Sequence, residues 1–147
     1  MSPRTAFVVR TKRDDQTVEL VERLPTADEY VELLRRVGWT SPPVEDCHRA
    51  LGGSLTAICA VDEREAVVGM GRLVGDGRIY CFAVDVVVDP DAQGQGIGQA
   101  IMDALEAVVT RRRFGTRLDL VAAPDVVPFY RRLGYSQLPS DLMRKPL

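Results

Sequence analysis

Apolar and polar residues alternate along "TVELVERL", residues 17–24, and that two-residue period predicts a strand. The period then lengthens. Tyr30, Leu33, Leu34 and Val37 recur at helical spacing in "TADEYVELLRRVGW", where Thr26 and Glu29 make a Thr-x-x-Glu capping box and Gly38 marks the end. "SPPVEDCHRAL" predicts a second short helix, begun at Pro42 or Pro43 and closed by Gly52 and Gly53. "SLTAICAVD", "AVVGMGRLVG" and "RIYCFAVDVVVD" read as three strands joined by short turns at "DERE" and "GDG", the pattern of an antiparallel meander. The third is long and almost wholly apolar, which predicts the central strand. From Ile97 a helix follows with Ile101, Leu105, Val108 and Val109 on its inner face, widened by Met102, while Asp103, Glu106 and Thr110 look outward. "TRLDLVAA" predicts a buried strand, "DVVPFYRRLGY" a short helix closed by Gly134, and the tail one or two short strands. The first ten residues read as a polar start.

This order predicts an α+β fold (mixed α/β): a central mixed sheet with an antiparallel N-terminal half, then strand, helix and strand with a right-handed crossover that yields a parallel pair. About four helices accompany it. The 147 residues, 46% apolar and 27% charged, suit one domain over residues 1–147. A formal net charge of -2 argues against general nucleic-acid binding, and Arg111 to Arg113 read as a solvated helix end favoured by the helix dipole. No apolar run reaches the roughly 20 residues needed to span a bilayer, and Met1 to Arg10 lacks a signal-peptide core, so the expected compartment is cytoplasmic, without a membrane partner. Cys47, Cys59 and Cys81 carry no Cys-x-x-Cys spacing and read as buried thiols, and with His48 as the sole histidine no metal site is expected.

The chemistry concentrates in "DPDAQGQGIGQA", residues 89–100, between the third strand and the long helix. Gly94, Gly96 and Gly98 weaken regular structure, so they mark backbone that bends or lies against something. A helix N-terminus presents unpaired N–H groups and the positive end of the dipole, and glycines admit phosphate oxygens close to them. A tight turn is the plainer reading. A P-loop would need Gly-Lys-Ser/Thr and the dinucleotide fingerprint would need glycine where Gln99 stands, so ATP and NAD lose ground.

Gln93-x-x-Gly96-x-Gly98, set after "VDVVVDP" and before an amphipathic helix, resembles the acyl-CoA pyrophosphate motif of the GNAT superfamily of N-acetyltransferases. "PFYRRLGY", about thirty residues on, resembles that superfamily's second signature, and the likeness covers roughly residues 17–147. "VDVVVDPDAQGQGIGQA" with "VVPFYRRLGY", and the early "RRVGW", is similar to the plant plastid serotonin N-acetyltransferase branch and its small bacterial relatives. Two positions depart from those patterns. Val84 stands where the plant enzymes have Trp, and Ala123 where many members have Asn or a carboxylate. Asp125 reads as the N-cap of the following helix or as a substitute for that group.

The resemblance implies acetyl-CoA as acyl donor. The backbone of Val86, Val87 and Val88 would pair with the pantetheine amides, and the N–H groups of Gly94, Gln95, Gly96, Ile97, Gly98 and Gln99 would hold the pyrophosphate, with Gln93 steadying the loop. Val86 N–H is the implied donor to the thioester oxygen. Tyr130 is the candidate general acid for the leaving thiolate, or else packs beside Phe129. Asp85 interrupts the apolar run "FAVDVVV", where a carboxylate is costly unless paired, hydrated or used; it is a candidate base, an ammonium anchor or a structural group. Trp39 and Tyr30 either line the acceptor side or pack in the core, Arg131 or Arg132 would reach the CoA 3′-phosphate, and His48 reads as a surface residue.

The expected activity is transfer of an acetyl group to a primary amine of a small molecule, an arylalkylamine or polyamine, by direct attack in a ternary complex. Protein N-terminal or lysine acetylation and a non-catalytic acyl-CoA sensor are the alternatives. The superfamily habit leaves a homodimer open.

Overall fold

The computed structural model describes residues 7–10 and 16–147. Six strands make one sheet in chain order: β1 (Phe7–Arg10), β2 (Thr17–Glu22), β3 (Thr56–Val61), β4 (Val67–Gly75), β5 (Cys81–Val88) and β6 (Asp119–Leu120). The first five pair antiparallel, and β5 and β6 run parallel across helix α3 (Ile97–Arg112). Helices α1 (Ala27–Arg36) and α2 (Val44–Gly52) lie between β2 and β3, and α4 (Val127–Arg132) follows β6. This is the mixed sheet that the alternation of patterns predicts.

Each sheet face is closed by a different set of helices. On one face Ile97, Ile101, Met102 and Leu105 of α3 pack with Leu20, Ile58 and Leu73 of the strands, all nearly inaccessible. On the other, Tyr30, Leu33, Leu34, Cys47 and Leu51 of α1 and α2 cover Met70 and Val87. Helix α3 approaches β4 closely because Gly71 has no side chain: a Cβ there would stand 2.8 Å from Leu105 Cδ1 and 2.9 Å from Ile101 Cγ2. The three cysteines are free and buried, and burial pushes the Cys59 thiol up to about 12. Among the described residues no helix is long and apolar enough to cross a membrane.

Several expectations need correction. "FVVR" forms β1, because four residues flanked by charge are too few to show a period yet enough to dock on β2, with Phe7 opposite Leu20. The central positions belong to β3 and β4; β5 lies next to the edge, and its apolar run lines a cleft as well as the core. "TRLDLVAA" yields only the two-residue β6, half-exposed, with Val121 64% exposed, and the tail holds no strand. Asp125 is not a cap: it lies within a 3-10 turn, Pro124–Val126, and no side chain caps α4. Arg111 and Arg112 are not merely solvated, since both reach Glu22 on β2, the Arg112 contact at 2.5 Å.

Helix α1 starts as its sequence predicts. Thr26 Oγ1 accepts the Glu29 N–H at 3.1 Å, and Glu29 Oε2 accepts the Thr26 N–H at 2.8 Å. Arg23 adds a two-pronged contact to the same carboxylate at 2.8 and 3.0 Å, which holds Glu29 below the usual carboxylate range. Thr26→Ala removes the cap and should cost about 1 kcal/mol. Thermal unfolding should show the midpoint fall by roughly 2–4 °C. An unchanged midpoint would mean that the box does not set this end of α1.

Candidate active site

The β5–β6 ladder has only two pairs, Phe82 with Asp119 and Ala83 with Leu120. Beyond Ala83 the edge of β5 has no strand partner. The separation opens a cleft of about 890 Å³ between β5, the glycine loop, the Leu120–Ala123 segment and α4. A parallel strand leaves half of its backbone groups directed to each side, so this edge offers N–H and C=O groups to an extended ligand.

At the end of β5 the chain turns through a 3-10 turn, Pro90–Ala92, into the glycine loop. Gln93 Nε2 donates to the Val88 carbonyl at 3.0 Å, which ties the loop to the strand. Gly94 and Gly96 take φ of +76° and +84°, where L side chains are strained, and Gly96 is the N-cap of α3. No side chain caps α3, so the first N–H groups of a sixteen-residue helix open on the cleft. This cradle fits an anion. Gln93, Gly94, Gly96, Gly98 and Gln99 all line the cleft, as do Val86 and Val88. Ile97 lines it through its backbone, its side chain being 1% exposed in the core, while Gln95 and Val87 are not brought to the cleft; Val87 packs against α1 and α2.

The register between β4 and β5 slips between Met70, opposite Val87, and Arg72, opposite Val84. Asp85 and Val86 thus face the single residue Gly71, a β-bulge, and Asp85 holds φ of +51°. Asp85 is tolerated there because it is paired. Its Oδ2 accepts from Arg72 Nε at 2.8 Å and from the Tyr30 hydroxyl at 2.9 Å, while Arg72 Nη1 donates to Ser54 Oγ at 2.8 Å. Burial, reinforced by the carboxylate, pushes the Tyr30 phenol up to about 12, and the Arg72 guanidinium stands 5.7 Å from the Tyr30 ring centre. Among the described residues none donates to Oδ1, and Asp85 lines the cleft. Arg72 was legible by the signal that marked Asp85, a charge inside an apolar strand, yet the sequence reading passed over it.

Tyr130, on α4, lines the cleft between the edges of Phe129 and Tyr135, with ring centres 5.0 and 5.9 Å away. Its hydroxyl takes no protein partner among the described residues, and burial raises its pKa. Trp39 lines the cleft and is 50% exposed, so of its two readings the core one is overturned. Tyr30 takes the core reading, buried against α2, and reaches the site only through its bond to Asp85. Ala123, Asp125 and Arg132 line the cleft; Arg131 turns to Gln137, and His48 is exposed on α2. No cluster of His, Cys, Asp and Glu placed to hold a metal occurs among the described residues.

The GNAT acetyltransferase domain family matches residues 54–137, more than half of the chain. The chloroplastic serotonin N-acetyltransferase 2 of Oryza sativa subsp. japonica is 36% identical over 76% of this chain and 56% of its own. The histone acetyltransferase TAP1 of Glycine max is 31% identical over 75% and 52%. A solved GNAT-family acetyltransferase from Streptococcus pneumoniae superposes with a TM-score of 0.74 at 29% identity, covering 88% of this chain and 98% of that one. The chain spans roughly a third to three quarters of the length of the curated relatives it matches.

The pairing of Asp85 with Arg72 predicts a non-additive response. Arg72→Met strands a carboxylate whose side chain is 20% exposed, and should cost about 2 kcal/mol, less than for a fully buried pair. Adding Asp85→Asn, which keeps the left-handed backbone accessible, should recover part of that loss in urea unfolding. Simple addition of the two losses would contradict a coupled pair.

Proposed function

The chain belongs to the GNAT family of acetyltransferases, and we propose that it transfers an acetyl group from acetyl-CoA to the primary amine of a small molecule, as a single catalytic domain over residues 1–147. The observation that carries this reading is the junction of an open β5 edge with an uncapped, glycine-lined helix start, beside a carboxylate and a phenol in the same cleft. A thioester substrate supplies the activated acetyl group. The backbone of Val86 and Val88 pairs with the pantetheine arm as an added strand would, and the N–H groups of Gly94, Gly96, Ile97, Gly98 and Gln99 take the pyrophosphate.

The acceptor arrives as an ammonium, with a pKa near that of lysine, about 10.4. Asp85 Oδ1 holds it, because Oδ2 is committed to Arg72 and Tyr30 and keeps the carboxylate oriented. The proton leaves to solvent in the cleft, and the free amine attacks the thioester carbonyl. Val86 N–H stabilises the oxyanion that develops, a contribution of about 3 kcal/mol in acyl-transfer sites of this kind. As the carbon–sulfur bond breaks, Tyr130 gives its proton to the thiolate, and the proton that the acylated nitrogen sheds on becoming an amide returns through solvent to the phenolate. Its raised pKa keeps the phenol protonated above the usual value of about 10. Attack is direct: Cys47 is buried with its thiol on the Pro42 carbonyl, so it offers no acyl-enzyme route.

The small-molecule assignment draws on the resemblance to the serotonin N-acetyltransferase branch and on the exposed Trp39, which lines the cleft as Phe82 and Val84 do. An arylalkylamine is the leading acceptor, ahead of a polyamine. The soybean relative's name makes protein acetylation the second reading. The chloroplastic name of the rice relative adds the chloroplast to the cytoplasm as a candidate compartment.

Free-thiol release with acetyl-CoA should be fastest with arylalkylamines; transfer to a histone-tail peptide but to no small amine would replace this reading with the protein one. Tyr130→Phe should lower kcat by roughly 10²–10⁴-fold with the acetyl-CoA KM little changed, and wild-type kcat should persist to pH 10. An unchanged kcat would remove the acid. Asp85→Asn should raise the amine KM at least about tenfold, a loss typical of a charge-assisted contact. Binding of acetyl-CoA without turnover on any amine would identify a sensor.

A further inference from the structure

Asp89 stands where β5 enters the glycine loop, and its side chain is 5% exposed. Both oxygens are used. Oδ1 accepts the Asp91 N–H at 2.9 Å and so fixes the 3-10 turn, while Oδ2 accepts from Arg36 Nη1 at 2.5 Å. The Asp89 N–H donates to the Val68 carbonyl at 2.8 Å. Arg36 comes from the last turn of α1, on the helix that also sends Tyr30 to Asp85, and its other contact is Glu32 Oε1 at 3.0 Å. Helix α1 therefore grips β5 and the turn beyond it at two points.

A carboxylate fixed in the turn that leads into an anion cradle is unfavourable for an anionic ligand. Like charges in a partly desolvated site repel, unless a cation lies against the carboxylate. Arg36 is that cation. It also holds the turn that leads through Gln93 to Gly94 and Gly96, at the start of the cradle.

Resting on the acetyl-CoA reading, we propose that Arg36 is a positioning residue for the phosphate-binding loop: it neutralises Asp89 and pins the turn, so the acceptor-side helix sets the affinity of the cradle for CoA. The pair has two separable effects, orientation and charge cancellation. Removing only the cation leaves the repulsion in place, whereas removing both charges lifts it. A merely structural ion pair would not distinguish these cases in ligand affinity.

The test is calorimetric titration of the folded protein with CoA at low salt, with the emission of Trp39, the chain's single tryptophan, as second readout. Arg36→Met should weaken CoA binding roughly tenfold, and less so at high salt. Asp89→Asn should stay within about threefold of wild type, and the double variant should recover to the level of Asp89→Asn. Arg36→Lys keeps the charge and should bind CoA nearly as wild type; it also serves if Arg36→Met fails to fold. Glu32→Gln, on the exposed side of Arg36, should change nothing. Arg36→Met binding CoA as tightly as wild type, or a double variant weaker than either single, overturns the proposal. A wild-type protein that does not bind CoA overturns the acetyl-CoA reading as well, which separates the two failures.

Discussion

Two strands that pair and then part are the constraint on which the rest of this molecule depends. Had β6 followed β5 along its length, the edge from Val84 to Val88 would be a closed ladder and the glycine loop would abut protein. The ladder instead ends after Ala83 and Leu120, and one residue pair later β5 bulges where Asp85 and Val86 oppose Gly71. The bulge bends β5 and re-aims its side chains. Alternation would send Asp85 to the same face as Ala83, into the core under α3. The bulge sends it to the opposite face, where Arg72, Tyr30 and Ser54 wait.

Strain and charge are both concentrated at that point, and the surroundings offset them. Asp85 in the left-handed region costs of order 1 kcal/mol relative to glycine, yet aspartate is among the few side chains that tolerate it. A cation and a phenol on Oδ2 replace the lost solvent. Gly71, across the bulge, answers a different demand, since any Cβ would press on Leu105 and Ile101. A pleated sheet can thus carry a polar site on one face and a close-packed helix on the other within a few residues.

Most of this was legible in the chain. The capping box at Thr26 and Glu29, the meander, the crossover helix and the glycine loop all follow from local periods and turn residues, which act over a few positions. What failed to show in the sequence depends on distant pairing. The two-residue β6 looks like a full strand because "LDLVAA" has the composition of one, but its pairing with β5 ends at Leu120. Arg111 and Arg112 looked solvated because their partner, Glu22, is far away in sequence. The Asp125 cap failed because Pro124 begins a 3-10 turn that carries Asp125 inside it. Asp85 was conspicuous as a charge in an apolar run, but whether such a group is paired is decided by β4 and α1, not by its neighbours.

The central claim is that the open β5 edge and the N–H groups at the start of α3 together receive an acyl-CoA. Amide hydrogen exchange of the intact protein with and without CoA addresses it directly, since both elements present free N–H groups that a ligand would protect. Exchange should slow with CoA in peptides covering Val84 to Val88 and Gly94 to Gln99, and none of that change should appear with NAD. Unaltered exchange in both segments at saturating CoA would contradict it and leave the glycines as a turn.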